Sequence, residues 1–195
     1  ASTILFNRNA THRITNIKQT VASTCTLDVS TGDLQLCSTP STLLVPDLLI
    51  VQGVLDLRTN RLFSDALNMY SGVLVIGRVR TAHPNGLYNA TVNAAFSSTL
   101  ADSLDYYLSS TSYIEYNGTD NQVVSGVGLG RARKTDHKYG NLEINFTGTP
   151  NVEYVYPTNL PNDSSVNIRG SLLLTNGEFN LDNDHTPSNS GGRMI

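Results

Sequence analysis

The chain has 195 residues, with 13 Lys and Arg against 16 Asp and Glu and a formal net charge of -3. That balance removes the electrostatic case for nucleic acid as a partner, and the length is enough for one well-buried core. Charged residues make up only 15% of the chain, below the ~25% usual for globular domains, so Ser, Thr and Asn must cover the surface. This is the composition of an extracellular β-protein or coat protein rather than a metabolic enzyme.

The chain starts at Ala1 rather than Met, the expectation for a processed, exported form. No run approaches the ~20 apolar residues that span a bilayer, so no transmembrane segment is expected. Residues 2–6 (STILF) are β-prone, with Ile4 and Phe6 on one face and Leu5 on the other. An apolar terminus needs a partner. It is either the first strand of this chain's own sheet or an arm that inserts into a neighbouring subunit. Residues 13–22 alternate loosely and lead to Cys25-TLDVSTGDLQL-Cys37, which holds the only two cysteines. Ser30-Thr31-Gly32-Asp33 reads as a turn that lays residues 26–29 beside 34–36 and brings Cys25 to Cys37. A disulfide closing that hairpin is expected, with two buried free thiols as the alternative.

Residues 43–57 (LLVPDLLIVQGVLDL) are the densest run of strand formers. Pro46 marks a bend, and 48–57 reads as one long core strand with Gly53 as a bulge or close-packing point. Residues 72–80 (GVLVIGRVR) read as the second core strand. His83-Pro84-Asn85-Gly86 is a tight turn before a half-buried strand at 87–96. Residues 98–109 are the best helix candidate, with Leu100, Leu104 and Leu108 at i, i+4 spacing and Ser98 as a cap. Residues 112–116 return to strand, Asn117-Gly118 is a turn, and 141–147 alternate cleanly with Leu142, Ile144 and Phe146 on one side. Residues 152–156 form another strand. The last unit, 165–181, carries Asn176-Gly177 between alternating runs, the strongest hairpin signal in the chain. The similar Gly-led strand openings recur at no fixed period, so no internal repeat is read. The sum is all-β: an antiparallel, jelly-roll-like β-sandwich with little helix, an arm at 1–12 and a single domain at 13–195.

Chemistry-bearing patterns are sparse. Five N-x-S/T sequons, at Asn9, Asn89, Asn117, Asn145 and Asn162, are spread along the chain and suggest N-linked glycans on an exported protein. Gly126, Gly128 and Gly130 lack the spacing and lysine of a phosphate loop. His12, His83, His137 and His185 have no metal-ligand spacing, and no GxSxG motif is present. Asp56 with Glu143 or Glu153 is a conceivable carboxylate pair that nothing in the sequence singles out. No catalytic residue, metal or cofactor is expected, and the chain reads as a non-enzyme. Arg131, Arg133, Lys134 and Lys138 form a basic loop. Lysine is scarce, and Lys18, close to the arm, is the candidate for an isopeptide crosslink.

With STILF at the terminus, spread sequons and a β-rich body, the chain resembles subunits of donor-strand filaments, and among those the thread or bundling pilins of thermophilic archaea. The resemblance covers the overall plan and rests on no diagnostic motif. It implies a head-to-tail homopolymer of identical subunits at the cell surface, serving adhesion, cell contact or biofilm. Thr3, Ile4, Leu5, Phe6 and Asn7 would then be the donor strand that completes the next subunit's sheet. A β-rich viral coat protein is one rival. The other is a carbohydrate-binding or adhesin module using Tyr106, Tyr107, Tyr154 or Tyr156 as stacking platforms.

Overall fold

The computed structural model describes residues 2–9, 12–14, 18–32, 34–36, 48–64, 71–87, 94–98, 104–120, 122, 124, 138–146, 151–153 and 168–180. Short strands follow one another in turns. The first turn comprises β1 (Ser2–Phe6), β2 (His12–Ile14) and β3 (Lys18–Val21). The second is β4 (Cys25–Val29), β5 (Leu34–Leu36) and β6 (Leu48–Val51), and the third β7 (Val54–Asp56), β8 (Leu62–Ser64) and β9 (Ser71–Val75). The fourth is β10 (Arg78–Thr81), β11 (Phe96–Ser98) and β12 (Leu104–Leu108). Then come β13 (Tyr113–Tyr116), β14 (Asn141–Asn145), β15 (Asn151–Glu153), β16 (Leu172–Asn176) and β17 (Glu178–Asn180).

Each of these four turns contributes one strand to each of three sheets, and β13, β14 and β16 extend the first of them. Sheet A runs β1-β4-β7-β10-β13-β14-β16, sheet B β2-β5-β8-β11 and sheet C β3-β6-β9-β12, while β15 and β17 pair separately. Every strand pairing among the described residues is parallel. The architecture is a three-faced parallel β-solenoid, and the expected antiparallel, jelly-roll-like sandwich is wrong. Period-2 alternation signals a half-buried strand without fixing the direction of its neighbour.

The corner from sheet C to sheet A explains the misreading of the two core runs. Residues 48–57 are not one strand: β6 ends at Val51, and the chain turns at Gln52-Gly53 into β7. Residues 72–80 divide in the same way at Ile76-Gly77. Successive corners stack backbone on backbone. Gln52 and Gly53 N–H donate to the Val21 carbonyl at 2.9 and 3.0 Å, and Ile76 and Gly77 N–H both donate to Val51 at 2.8 Å. A Cβ at Gly53 would collide with the Ala22 and Cys25 carbonyl oxygens, and one at Gly77 with those of Gln52 and Gly53. Glycine is required there by close approach, the general reason a strand run carries an isolated glycine.

The other expected turns are also corners. Thr31-Gly32 joins β4 to β5, which lie in different sheets, so residues 26–29 and 34–36 never run side by side. The expected disulfide fails with the hairpin: Cys25 is a free, half-buried thiol on β4, and Cys37 lies outside the described residues. Asn176-Gly177, with Gly177 at φ 97°, likewise joins β16 to β17 in separate sheets. Of the helix expected at 98–109, Ser98 ends β11 and residues 104–108 are β12. Tyr106 and Leu108 are buried while Tyr107 is exposed, a period of two that overrides the leucine spacing.

Equivalent inward positions stack into apolar columns. Leu27, Leu55, Val79, Ile114 and Leu142 form the sheet A column. Leu34, Leu62 and Phe96 form that of sheet B, and Leu49, Val73 and Tyr106 that of sheet C. Their burial is the main drive to fold, and each turn needs its neighbours to achieve it. In the later turns Tyr139 and Tyr116 meet hydroxyl to hydroxyl at 3.0 Å, and Leu87 N–H donates to the Tyr116 oxygen, so both buried phenols are satisfied.

Candidate functional site on the outer face of sheet A

Register decides what the outer face of sheet A presents. The outward position runs Leu5, Asp28, Asp56, Arg80, Glu115, Glu143, Leu173 from β1 to β16. The adjacent outward position carries Arg78 beside Tyr113. Parallel strands lie ~4.8 Å apart, so groups on neighbouring strands interact directly.

Two ion-pair clusters result. In the first, Arg58, at the corner after β7, donates from Nε and Nη2 to the two Asp28 oxygens at 2.9 and 2.8 Å. In the second, Arg78 Nη1 is shared between Glu115 Oε2 at 2.6 Å and Glu143 Oε2 at 2.7 Å. Arg80 Nε donates to Glu115 Oε2 at 2.9 Å. Asn145 Nδ2 donates to Glu115 Oε1 and the Thr175 hydroxyl to Glu143 Oε1, each at 2.9 Å. The Arg78 guanidinium also lies 5.0 Å from the centre of the Tyr113 ring, within cation–π range. Glu115 and Glu143 are both buried, and burial on an outward position is possible because these donors cover them.

The proton equilibria follow this geometry. Burial is the largest influence on Glu115 and favours its neutral form, but hydrogen bonds from Arg78, Asn145 and Arg80 together outweigh it, so the carboxyl sits below its usual range. Arg78 is raised: burial opposes its charge, and Glu115 and Glu143 more than restore it. Arg58 is raised chiefly by its hydrogen bonds to Asp28. Asp56 goes the other way. Burial lifts it most, the Arg58 backbone N–H at 3.2 Å lowers it, and the neighbouring Asp28 charge lifts it again. Arg80 Nη1 stands off at 4.0 Å. The net effect is upward, so the Asp56 charge is held at a cost.

Of the residues singled out from sequence, Leu5, Asp56 and Glu143 share this outward column and Asn145 donates to Glu115. Thr3, Ile4, Leu5 and Phe6 lie in β1, which pairs in parallel with β4 of its own chain from Ser2↔Cys25 to Phe6↔Val29. The filament-subunit reading, with this strand donated to a neighbour's incomplete antiparallel sheet, is overturned by the parallel topology and by the absence of the disulfide. Asn7 and Asn9 are exposed just beyond β1. Asn117 is half-buried, and its Oδ1 has no hydrogen-bond partner. Asn145 is half-buried with its Nδ2 on Glu115. Asn89, Asn162, Glu153's side chain, Tyr154, Tyr156, His137, His185 and the basic residues at 131, 133 and 134 lie outside what is described. Lys18 and His12 lie on β3 and β2, and Lys138 is half-buried. His83 is buried.

Asp56 and Glu143 share the outward column but are three strands apart, about 14 Å by strand spacing, beyond the separations that serve glycoside hydrolysis. Among the described residues no cluster of His, Cys, Asp and Glu could hold a metal ion, and no helix is long and apolar enough to cross a membrane.

Sequence reasoning missed the ladder itself. Arg78, Arg80, Glu115 and Glu143 each alternate with apolar residues inside a strand, which marks them as outward. Joining them needs the register, and the sheet A strands begin at unequal intervals, at residues 2, 25, 54, 78, 113, 141 and 172. Comparison with known proteins adds no kinship: no family model, no curated protein and no solved structure matches the chain.

Proposed function

We propose that the chain is a non-catalytic scaffold, a rigid solenoid that works by holding surfaces at fixed spacing. The observation that carries this reading is the consumption of charge on the outer face of sheet A. Arg78 and Arg80 are spent on Glu115 and Glu143, and Arg58 on Asp28. A site for chemistry or for a charged ligand leaves groups unpaired and poised, and its residues are commonly suboptimal for stability. Here all three arginines are paired across strands, so they clamp successive turns. We further propose that the scaffold is exported and carries an N-linked glycan at Asn9. The support is the exposed position of that sequon asparagine and the low charge content.

The test is the sign of a stability change. Glu115→Gln keeps the shape and removes the charge that Arg78 and Arg80 share. A clamp predicts a lower urea midpoint with an unchanged slope. An unchanged or higher midpoint would mean that the charges are held for another purpose, and the scaffold reading falls.

A further inference from the structure

The two ends of sheet A carry information that its middle does not. Along the outward column the five interior strands present Asp28, Asp56, Arg80, Glu115 and Glu143, whereas the two edge strands present Leu5 and Leu173. The inward column is apolar throughout, from Ile4 at one end to Leu172 at the other. Among the described residues no strand lies beyond β1 or beyond β16 in this sheet. Ile4, Leu5 and Leu174 are 54%, 52% and 57% exposed. Neither edge has a charged residue or a proline in its strand, STILF and LLLTN, and those are the usual means of blocking edge pairing. Beneath β1, a cavity of about 260 Å³ lies between the first two turns, lined by Ile4, Phe6, Val21, Leu27 and Leu49 among others.

We propose that the two ends are complementary and that a second copy of this chain stacks on the first, its β1 pairing in parallel with β16. Continuing the existing columns sets the register: Leu172 beside Ile4, Leu173 beside Leu5 and Leu174 beside Phe6. The outward leucines then meet each other instead of a charge, and Leu174 comes to lie over the cavity end of the first turn. The polarity is that of every other pairing in the sheet, so one translation along the solenoid axis generates the contact. No strand leaves its own turn. The contact is heterologous, pairing unlike ends. Pairing like ends, β1 with β1, would require an antiparallel step found nowhere in the described strands. The inference goes beyond the scaffold reading and stands on the edge strands alone.

Two variants test it. Leu5→Lys blocks the β1 end and Leu174→Lys the β16 end, both at exposed positions, and circular dichroism checks that each folds as the parent does. Sedimentation velocity on the whole chain should show mass rising with concentration for the parent and a monomer for each variant alone. An equimolar mixture of the two variants should double in mass and stop, because each supplies the one intact end that the other lacks. A parent that stays monomeric at every concentration overturns the proposal. So does a Leu174→Lys variant that dimerises by itself, which would show like-end pairing, or a mixture that remains monomeric. The Glu115→Gln measurement is independent of these outcomes, so failure of one reading is distinguishable from failure of the other.

Discussion

Arg58 reaches back across one turn of the solenoid to grip Asp28, with two nitrogens on two oxygens at 2.9 and 2.8 Å. It does so from a left-handed backbone conformation, φ 52°, the one positive φ among described non-glycine residues. The local turn helps: Arg58 N–H donates to the Asp56 carboxylate two residues back, a side-chain-closed turn that tolerates this conformation.

The conformation and the ion pair are separable by mutation. Arg58→Ala loses the pair and keeps a Cβ at positive φ, while Arg58→Gly loses the pair and relieves the backbone. The left-handed conformation costs a non-glycine residue about 1 kcal/mol. Arg58→Gly should therefore be the more stable of the two by about that amount in urea denaturation. The pair itself is half exposed at the arginine end, with 52% of the Arg58 side chain accessible, so its loss should cost no more than ~1 kcal/mol. Equal midpoints for the two variants would show that the backbone is not strained.

Glu115 makes stability depend on acid. Its carboxyl lies below its usual range in the folded chain, so the unfolded chain binds more protons as pH falls through the acidic range. The stabilisation is complete above the unfolded pKa and is lost as pH drops through the folded one. Its side chain is 4% exposed, and removing one partner of a buried pair typically costs about 3 kcal/mol or more. Glu115→Gln should be destabilised by roughly that amount at neutral pH, and the gap to the parent should narrow toward low pH. A gap independent of pH would contradict the assigned cause.

Asp56 predicts the opposite sign. Its folded pKa is raised by burial and by Asp28, so its contribution is favourable below the unfolded pKa and is lost as pH rises through the folded one. At neutral pH the charge is a net burden. Asp56→Asn retains an acceptor for the Arg58 N–H and should melt above the parent at neutral pH, with the advantage vanishing in acid. Melting temperatures across a pH series check it, and a variant less stable at neutral pH would refute it.

The contrast between Glu115 and Asp56 shows where the sequence was legible. Alternation put Leu142, Ile144 and Phe146 on one side of a strand at 141–147; all three are buried, and the strand spans Asn141–Asn145, with residue 147 outside the described residues. Gly53, isolated in a strand run, read as a bulge or a close-packing point, and the second holds: a side chain there would strike two carbonyls. What alternation cannot carry is partnership. Glu115 and Asp56 occupy the same outward column, yet one meets three side-chain donors and the other a single backbone N–H beside a like charge, and only register tells them apart. The same limit turned four corners into hairpins or continuous strands. Thr31-Gly32 and Asn176-Gly177 have the chemistry of tight turns, and a tight turn between two strands serves a hairpin or a corner equally well. The strand edges were harder still. STILF was recognisable as an apolar segment needing a partner, but the β4 strand that pairs with it on one side lies in the stretch that read as a disulfide hairpin.

Cys25 provides a direct check on that correction. A disulfide closing the loop to Cys37 would be worth about 3 kcal/mol, a shift of roughly 10 °C in melting temperature for a chain of this size. With Cys25 a free thiol, melting with and without reductant should coincide, and Cys25→Ser should behave as the parent does in both conditions. A fall of several degrees on reduction would restore the bridge.

The most severe single change is expected at Gly77. Its amide donates to Val51, and its Cα faces the Gln52 and Gly53 carbonyl oxygens closely enough that a methyl group would overlap both. Those oxygens belong to backbone pinned by its own hydrogen bonds to Val21, so neither can swing aside as a flexible side chain would. The corner would have to open, and opening it separates β10 from β7 at Arg78, whose N–H bonds the Gly53 carbonyl at 2.8 Å. Arg78 is also the residue that ties Glu115 to Glu143, so the damage passes from the backbone into the charged ladder. Gly77→Ala should destabilise by about 4 kcal/mol or more, the range reserved for changes that break a structural requirement. Alanine at Ile76, a partly exposed neighbour on the same corner, should cost far less. Urea midpoints for the two variants decide it. A Gly77→Ala protein as stable as Ile76→Ala would mean that the corner yields, and that close backbone stacking is not what requires glycine there.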